Sequence, residues 1–227
     1  MKRLVVLTGA GISAESGIQT FRDADGLWEG HNVMDVASPE GFAANPELVL
    51  NFYNERRKQL LEVSPNKGHV NLVALEKDYN VEIITQNVDD LHERAGSKNV
   101  THLHGELLKV RSSADENIVL DWEKDLVLGD LCPKKSQLRP HIVWFGEMVP
   151  MLDKAIEITK KADILVIIGT SMQVYPAAGL VDYVKRSTPI YFIDPKPAVS
   201  ESSFKNLTII KDLASVGTDK LMKILKE

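Results

Sequence analysis

Thiols are almost missing from this 227-residue chain, whose one cysteine is Cys132. No internal disulfide can form, which fits a reducing compartment. An excess of positive charge is missing too. Lys and Arg number 27 against 32 Asp and Glu, for a formal net charge of −5. That balance argues against nucleic acid as a partner, because phosphate binding calls for a basic face. It leaves basic, lysine-bearing polypeptides as compatible partners. No apolar run approaches the ~18 residues that a membrane helix needs, so no membrane partner is expected. Met1-Lys2-Arg3 leads straight into an apolar run; no signal or transit peptide is expected, and the expected location is cytoplasmic. Internal repeats and low-complexity segments are absent as well. What is present is an ordinary globular composition, 44% hydrophobic and 26% charged, enough for a sizeable core in one domain.

Runs rich in Val, Ile and Leu recur at 3–8, 81–85, 99–103, 164–168, 190–193 and 208–210. Most are continuous rather than alternating, as expected of parallel strands covered on both faces. Between them, the spacing predicts amphipathic helices over 46–63, 67–77, 151–161, 177–185 and 213–226. Alternating β and α elements predict an α/β, doubly wound, mostly parallel Rossmann-like sheet with its ligand crevice at the carboxyl ends of the strands. Two stretches interrupt the alternation. Residues ~24–66 read as helical, punctuated by Pro39, Pro46 and Pro65, and residues ~107–144 carry short strand-like pieces at 107–110 and 118–120. Both are expected to form a small lobe on a large lobe of about 1–23, 67–106 and 145–227, within a single domain.

Five strings carry the chemistry. Residues 9–23 read G-A-G-I-S-A-E-S-G-I-Q-T-F-R-D, a turn of small residues directly after a strand. Such a turn lets backbone N–H groups approach a phosphate that bulkier side chains would exclude. Its spacing, G-x-G-x(5)-G, differs from the G-x-G-x-x-G of dinucleotide dehydrogenases. Asp25 and Glu29 also stand too close to the turn for the acidic residue a dehydrogenase needs. Thr85-Gln86-Asn87-Val88-Asp89-Asp90-Leu91-His92 follows another strand and reads two ways, as polar groups meeting a ligand or as helix capping by Asn87 or Asp89. In His102-Leu103-His104-Gly105-Glu106, both histidines point to one side of a strand, and a histidine is the side chain suited to accept a proton near neutral pH. Leu138-Arg139-Pro140-His141-Ile142-Val143-Trp144-Phe145-Gly146-Glu147 contains a proline that belongs on a sheet edge, where an extended peptide can add as a strand. Gly169-Thr170-Ser171, at the end of the 164–168 strand, is a further small-residue platform.

In this order, and over nearly the whole chain, the five strings resemble those of the sirtuins, the NAD-consuming protein-lysine deacylases. The resemblance implies NAD as cofactor, held by Gly9, Ala10, Gly11, Ile12, Glu15, Phe21, Arg22, Trp28, Gln86, Asn87, Val88, Asp89, Gly169, Thr170, Ser171, Asp194 and Ala214. It implies catalysis by His104, as base toward a ribose hydroxyl, with Asn87 and Asp89 ordering the ribose and a water. Acylated-lysine proteins would be the substrates, with Val143 lining the acyl-lysine tunnel. Phe145, Gly146 and Glu147 would pair with substrate backbone, and Val174 and Tyr175 would touch substrate as well. The products would be free lysine, nicotinamide and O-acyl-ADP-ribose, and a monomer is expected. Many sirtuins have Asn where Asp194 stands. A carboxylate there suits both ribose hydroxyls and repels a 2′-phosphate, favouring NAD over NADP.

Two features set the chain apart within that resemblance. Most sirtuins carry two C-x-x-C pairs that hold a structural zinc. Here the stretch 110–139 offers only Cys132, with Ser112 about where a first thiolate would stand and no histidine between His104 and His141. No zinc is expected, and Ile118, Leu120, Trp122, Leu126, Val127, Leu128 and Leu131 are expected to supply an apolar mini-core instead. The second feature is Tyr53 and Arg56, at i and i+3 of a predicted helix. Glu55-Arg56-Arg57-Lys58 reads on its own as an ordinary solvated face. Y-x-x-R at this point resembles the sirtuins that remove malonyl and succinyl groups, where the pair clamps the acyl carboxylate. The activities implied are thus deacetylase, desuccinylase and demalonylase. A non-enzymatic binder of ADP-ribose or acyl-lysine is the alternative.

Overall fold

The central strands of the main sheet are apolar on both faces because helices cover both sides of it. The computed structural model describes residues 1–19, 27–28, 30–200 and 202–226; Phe21 and Arg22, both expected at the cofactor, lie outside them. The chain runs β1 (Arg3–Thr8), β2 (Leu27–Trp28), β3 (His31–Asn32), α1 (Val33–Val36), α2 (Pro39–Ala44), α3 (Pro46–Glu62), α4 (Lys67–Leu75) and β4 (Asn80–Thr85). It continues through α5 (Leu91–Ala95), β5 (Val100–His102), β6 (Gly105–Ser112), β7 (Val119–Asp121), β8 (Leu138–Ile142) and α6 (Leu152–Lys160). Last come β9 (Ile164–Ile168), β10 (Ile190–Ile193), β11 (Leu207–Ile210) and α7 (Ala214–Ile224).

The six-stranded sheet is ordered β11-β10-β9-β1-β4-β5, and all of its pairings are parallel. Leu4, Val6, Val81, Ile83 and Val166 pack with Leu72 of α4 and Leu221 of α7 on one face. Val5, Leu7, Ile84, Leu165 and Ile167 pack with Ala155 of α6 and Leu180 on the other. Neighbouring residues of a strand therefore enter opposite core layers, which is why the runs are continuous. Strand order reverses between β1 and β9, so the crevice opens above the carboxyl ends of those two strands.

The small lobe carries an antiparallel sheet ordered β7-β6-β8. Pro140 lies on the edge strand β8, where a missing N–H is tolerated. Helix starts follow local chemistry. Ser38 accepts from Gly41 N at 2.9 Å and Asn45 from Leu48 N at 3.1 Å, each before a proline in the first turn. Over 177–185 the expected α-helix is a 3-10 helix, Ala177–Tyr183. Gly179 disfavours the α form, and its N–H closes on Pro176 O at 3.1 Å. Among the described residues no helix is long and apolar enough to cross a membrane.

Candidate active site at the sheet switch point

The crevice floor is two strand ends pressed together. Gly9 N donates to Ile168 O at 3.0 Å and Gly11 N to Gly169 O at 2.8 Å. A Cβ on Gly11 would stand 2.6 Å from Gly169 Cα, so the glycines serve first to bring these two loops into contact. Past them, Ala10–Ile12 and Ala14–Ser16 form short 3-10 turns, and Ile12 is buried in the core. Asn66 braces this loop: its Nδ2 donates to Ile12 O at 2.7 Å and to Ser16 Oγ at 2.9 Å.

Gln86 and Asn87 leave β4 on opposite errands. Gln86 Nε2 crosses the switch point to Thr170 Oγ1 at 3.1 Å. Asn87 Nδ2 donates to Ser13 Oγ at 3.1 Å, and Ser13 Oγ donates to Asp89 Oδ2 at 2.9 Å. Because Ser13 spends its one proton on a carboxylate, Asn87 has to present its NH₂ to Ser13, leaving the amide oxygen for another partner. Asp89 also accepts from Leu91 N at 3.2 Å, but the N-cap of α5 is Asp90 with no side-chain cap bond, so neither Asn87 nor Asp89 is the capping residue. Burial raises the Asp89 pKa, while the Ser13 and Leu91 bonds pull it back. Ser13, wholly buried at the centre of this network, was legible only as one letter of the first string.

The two histidines of the third string anchor on successive carbonyls. His104 Nδ1 lies 3.0 Å from Gln86 O and His102 Nδ1 lies 3.1 Å from Asn87 O. A carbonyl only accepts, so each Nδ1 carries a proton. His102 Nε2 faces Glu93 Oε1 at 2.9 Å, another pure acceptor, which calls for a second proton on that ring. Burial pulls the His102 pKa down, but the Glu93 bond and charge outweigh it and leave the pKa raised. His104 has no such partner for Nε2 among the described residues, and burial lowers its pKa. The Glu93 carboxylate thus favours the cationic form of the His102 ring, while burial favours a neutral His104 with a lone pair on Nε2. Gly105, next in line, has φ +85°, and a Cβ there would stand 2.0 Å from His141 O. No other residue fits where the two lobes cross.

The remaining expected residues fall in several places. Thr170 and Ser171 sit at the end of β9, Thr170 buried. Asp194, buried at the end of β10, accepts from Lys196 N at 2.8 Å. Ala214 opens α7, and Glu15 caps that helix, accepting from Ser215 N at 2.9 Å and Ser215 Oγ at 2.5 Å. Glu15 is thus spent on a helix N-terminus. Val88 lines a cavity of about 220 Å³ with Asp89, Asp90, Glu106, Lys109 and Asp121. Trp28 packs edge-on against Phe52 at 4.9 Å and Tyr53 at 6.3 Å, toward α3.

On α3, Tyr53 is buried and accepts from Trp144 Nε1 at 2.9 Å. Arg56 donates to Phe52 O at 2.8 Å, its guanidinium 4.0 Å from the Phe52 ring centroid. Val143 N donates to His104 O and Phe145 N to Ala37 O, both at 2.9 Å. Glu147 turns inward: its carboxylate takes Arg111 Nη2 at 3.0 Å, Arg139 Nη1 at 2.6 Å and Trp144 N at 2.8 Å. These bonds spend the Glu147 carboxylate inside the chain, and Glu147 N closes on Trp144 O at 3.0 Å. Val174 is half-buried and Tyr175 is exposed.

In the small lobe, Cys132 is buried among Leu50, Val110, Leu126 and Leu138 and shares a hydrogen bond with Ser112. Ser112 Oγ also receives Ala114 N at 3.1 Å and Asp115 N at 3.2 Å, ordering the turn after β6. Leu120, Val127, Leu128 and Leu131, expected in the mini-core, are exposed, because α3 already supplies Leu50 and Phe42 packs from the side. Among the described residues no group of three or more His, Cys, Asp or Glu is arranged to hold a metal.

The Sir2 family model matches residues 9–176 of the chain. A Helicobacter pylori NAD-dependent protein deacylase is 61% identical over 227 residues, covering 100% of this chain and 99% of the relative. A Bacteroides thetaiotaomicron protein of the same name is 55% identical over 231 residues, covering 99% and 98%. Among solved structures, a complex of a Sir2 homologue with NAD superposes with a TM-score of 0.88 at 42% identity, over 99% of this chain and 90% of that one. Identity of this order along the full length, with the family match spanning both halves of the crevice, goes beyond a shared fold: the chain belongs to the Sir2 family.

Proposed function

We propose that the chain is an NAD-dependent protein-lysine deacylase that accepts acyl groups ending in a carboxylate, succinyl and malonyl, as well as acetyl. The observation that carries the enzymatic reading is His104. It is held neutral, anchored through Nδ1 on Gln86 O at 3.0 Å, with Nε2 left to take a proton at the switch point. The alternative, a binding module without turnover, has no use for a neutral base set apart in this way from a neighbour whose pKa is raised.

The chemistry of the crevice fits NAD. Gln86, Asn87 and Thr170 are uncharged hydrogen-bonding groups suited to ribose and amide. The Gly9–Gly11 turn, whose Gly9 and Gly11 N–H groups are spent on Ile168 O and Gly169 O, suits the phosphates by leaving room for them, and the Asp194 carboxylate suits ribose hydroxyls while disfavouring a 2′-phosphate. Bound NAD would supply the ribose that receives the acyl group as nicotinamide departs. The protein's part is positional and acid–base. Ser13 and Asp89 fix the Asn87 amide so that its oxygen faces outward from their network. The Gln86 carbonyl stops the His104 ring from turning, so that Nε2 alone can accept a proton. Val143, tied to His104 O, places the tunnel wall beside the base.

Support for the acyl preference is Tyr53 and Arg56 on one face of α3, where the Arg56 charge reaches the Tyr53 hydroxyl. A guanidinium with a phenol beside it suits a carboxylate. The proposal extends to a small lobe held without zinc, and to a cytoplasmic monomer acting on acylated-lysine proteins, with no nucleic-acid or membrane partner. The test is to incubate purified protein with NAD and acetyl-, malonyl- or succinyl-lysine peptides and weigh the products. The expected result is NAD-dependent free lysine, nicotinamide and O-acyl-ADP-ribose, with succinyl and malonyl peptides turned over faster than acetyl. Binding of ADP-ribose without turnover of any peptide overturns the enzyme, and turnover of acetyl alone overturns the carboxylate clamp.

A further inference from the structure

We propose that Trp144 is a specificity-positioning residue, whose indole N–H fixes the Tyr53 hydroxyl so that the phenolic proton is presented to a carboxylate on the acyl chain. The inference rests on the clamp reading of Tyr53 and Arg56 and deepens it.

Trp144 Nε1 lies 2.9 Å from Tyr53 Oη. The two side chains are 2% and 1% exposed, so no bulk water competes for the bond. An indole nitrogen donates and never accepts. The Tyr53 oxygen is therefore the acceptor, and its own proton has to point elsewhere. Among the described residues nothing accepts that proton. Burial raises the Tyr53 pKa above that of a free phenol, so at neutral pH the group is a donor and never a phenolate that would repel a carboxylate.

Trp144 is itself held from two directions. The Arg139 guanidinium stacks over the indole, 3.4 Å from its centroid. Glu147 takes the Trp144 backbone N–H at 2.8 Å and grips Arg139 at 2.6 Å. Stacking and backbone bond together leave the indole one orientation. Trp144 also stands between Val143 and Phe145, expected at the tunnel and at the substrate strand. The residue that aims Tyr53 thus belongs to the segment that seats the lysine, which couples the acyl end to the tunnel entrance.

Trp144→Phe keeps an aromatic ring under Arg139 and removes the indole donor together with part of the ring volume. Its kcat/KM is measured on matched succinyl- and acetyl-lysine peptides, beside Tyr53→Phe, Arg56→Met and the double variant Tyr53→Phe/Trp144→Phe. The ratio of the two substrates on one preparation cancels any loss of folded protein. The expected result is a succinyl-to-acetyl ratio lowered roughly 3–10-fold in Trp144→Phe, as for one neutral hydrogen bond, and carried mainly by KM for succinyl. The double variant is expected to lose no more than Tyr53→Phe alone, because both changes remove the same presented proton. A ratio unmoved in Trp144→Phe but lowered in Tyr53→Phe and Arg56→Met overturns the role of Trp144 and leaves the clamp standing. Ratios unmoved in all variants overturn the clamp, and the positioning role with it.

Discussion

Arg57 donates to the Asn54 side-chain oxygen at 2.8 Å, and these two buried residues of α3 hold the small lobe by its backbone. Arg57 also reaches Leu107 O at 3.2 Å and Lys124 O at 3.3 Å. Asn54 pairs with Leu126 in both directions, at 3.0 and 2.9 Å. Burial lowers the Arg57 pKa to about 10, against the Asp125 charge, yet the guanidinium remains cationic at neutral pH. In this part of the lobe a fixed cation ties loop carbonyls to a helix, the kind of cross-link that zinc and thiolates supply elsewhere.

Arg57→Met should therefore destabilise the protein by about 2–4 kcal/mol, since it strands buried carbonyls that a charged donor now satisfies. Denaturant unfolding checks this, with m-values compared to confirm a single transition. In the same experiment chelator should leave the wild-type curve in place, and metal analysis should give well under one zinc per chain. Stoichiometric zinc lost together with structure would defeat the idea.

His104→Ala should fold normally and lose on the order of 10²–10⁴-fold in deacylation rate, the range for a general base. Because the His104 pKa is lowered, the neutral base persists below the ordinary histidine value. The acid limb of kcat/KM should then have its midpoint below about 6.5. A midpoint well above that value would point instead to a raised group such as His102.

His69 and His92 form a second pair, fully buried, with ring centroids 4.9 Å apart. Burial lowers the His69 pKa to about 4, with Glu15 opposing, and holds that of His92 far below the ordinary value, with His69 and His102 adding repulsion. Below about pH 6.5 the unfolded chain takes up protons that the folded chain refuses, so stability falls as pH falls through that window. For His69 alone the loss approaches about 3 kcal/mol toward pH 4. Ring-proton shifts of both residues should stay flat down to pH 5 while those of His102 titrate. Unfolding midpoints that do not change between pH 7.5 and 5 would sink the argument.

Arg56→Met should cut kcat/KM for succinyl-lysine by roughly 10–100-fold relative to acetyl-lysine, as for loss of a charge-assisted bidentate bond. Tyr53→Phe should shift the ratio the same way by less. Steady-state kinetics on matched peptides decide it, and an unchanged ratio returns Arg56 to the solvated face that its charged neighbours suggest.

Local signals carried much of the architecture. The continuous apolar run of β1 gave its boundaries correctly because a parallel strand covered on both faces has nothing polar to interrupt it. Pro46 and the proline of β8 announced a helix start and a sheet edge, each through the chemistry of a single residue. The 3-10 helix at Ala177–Tyr183 was missed because periodicity alone does not separate i→i+3 from i→i+4 bonding over so short a segment.

By itself the sequence determined the main parallel strands and the longer helices, where the small-residue turns interrupt them and which side chains could do chemistry, since these depend on neighbours a few positions away. Only the tertiary structure decided what each side chain is spent on. Glu93 raises the His102 pKa, and with no such partner among the described residues His104 has its pKa lowered by burial. Ser13 reaches Asp89 across 76 positions, and Trp144 reaches Tyr53 across 91. Arg57, inside a run of charges that looks solvated, is 1% exposed because β6 and the loop after β7 close over it. A hydrogen bond is made or lost within a few tenths of an ångström, and only the packed lobes bring groups so distant in the chain to that range.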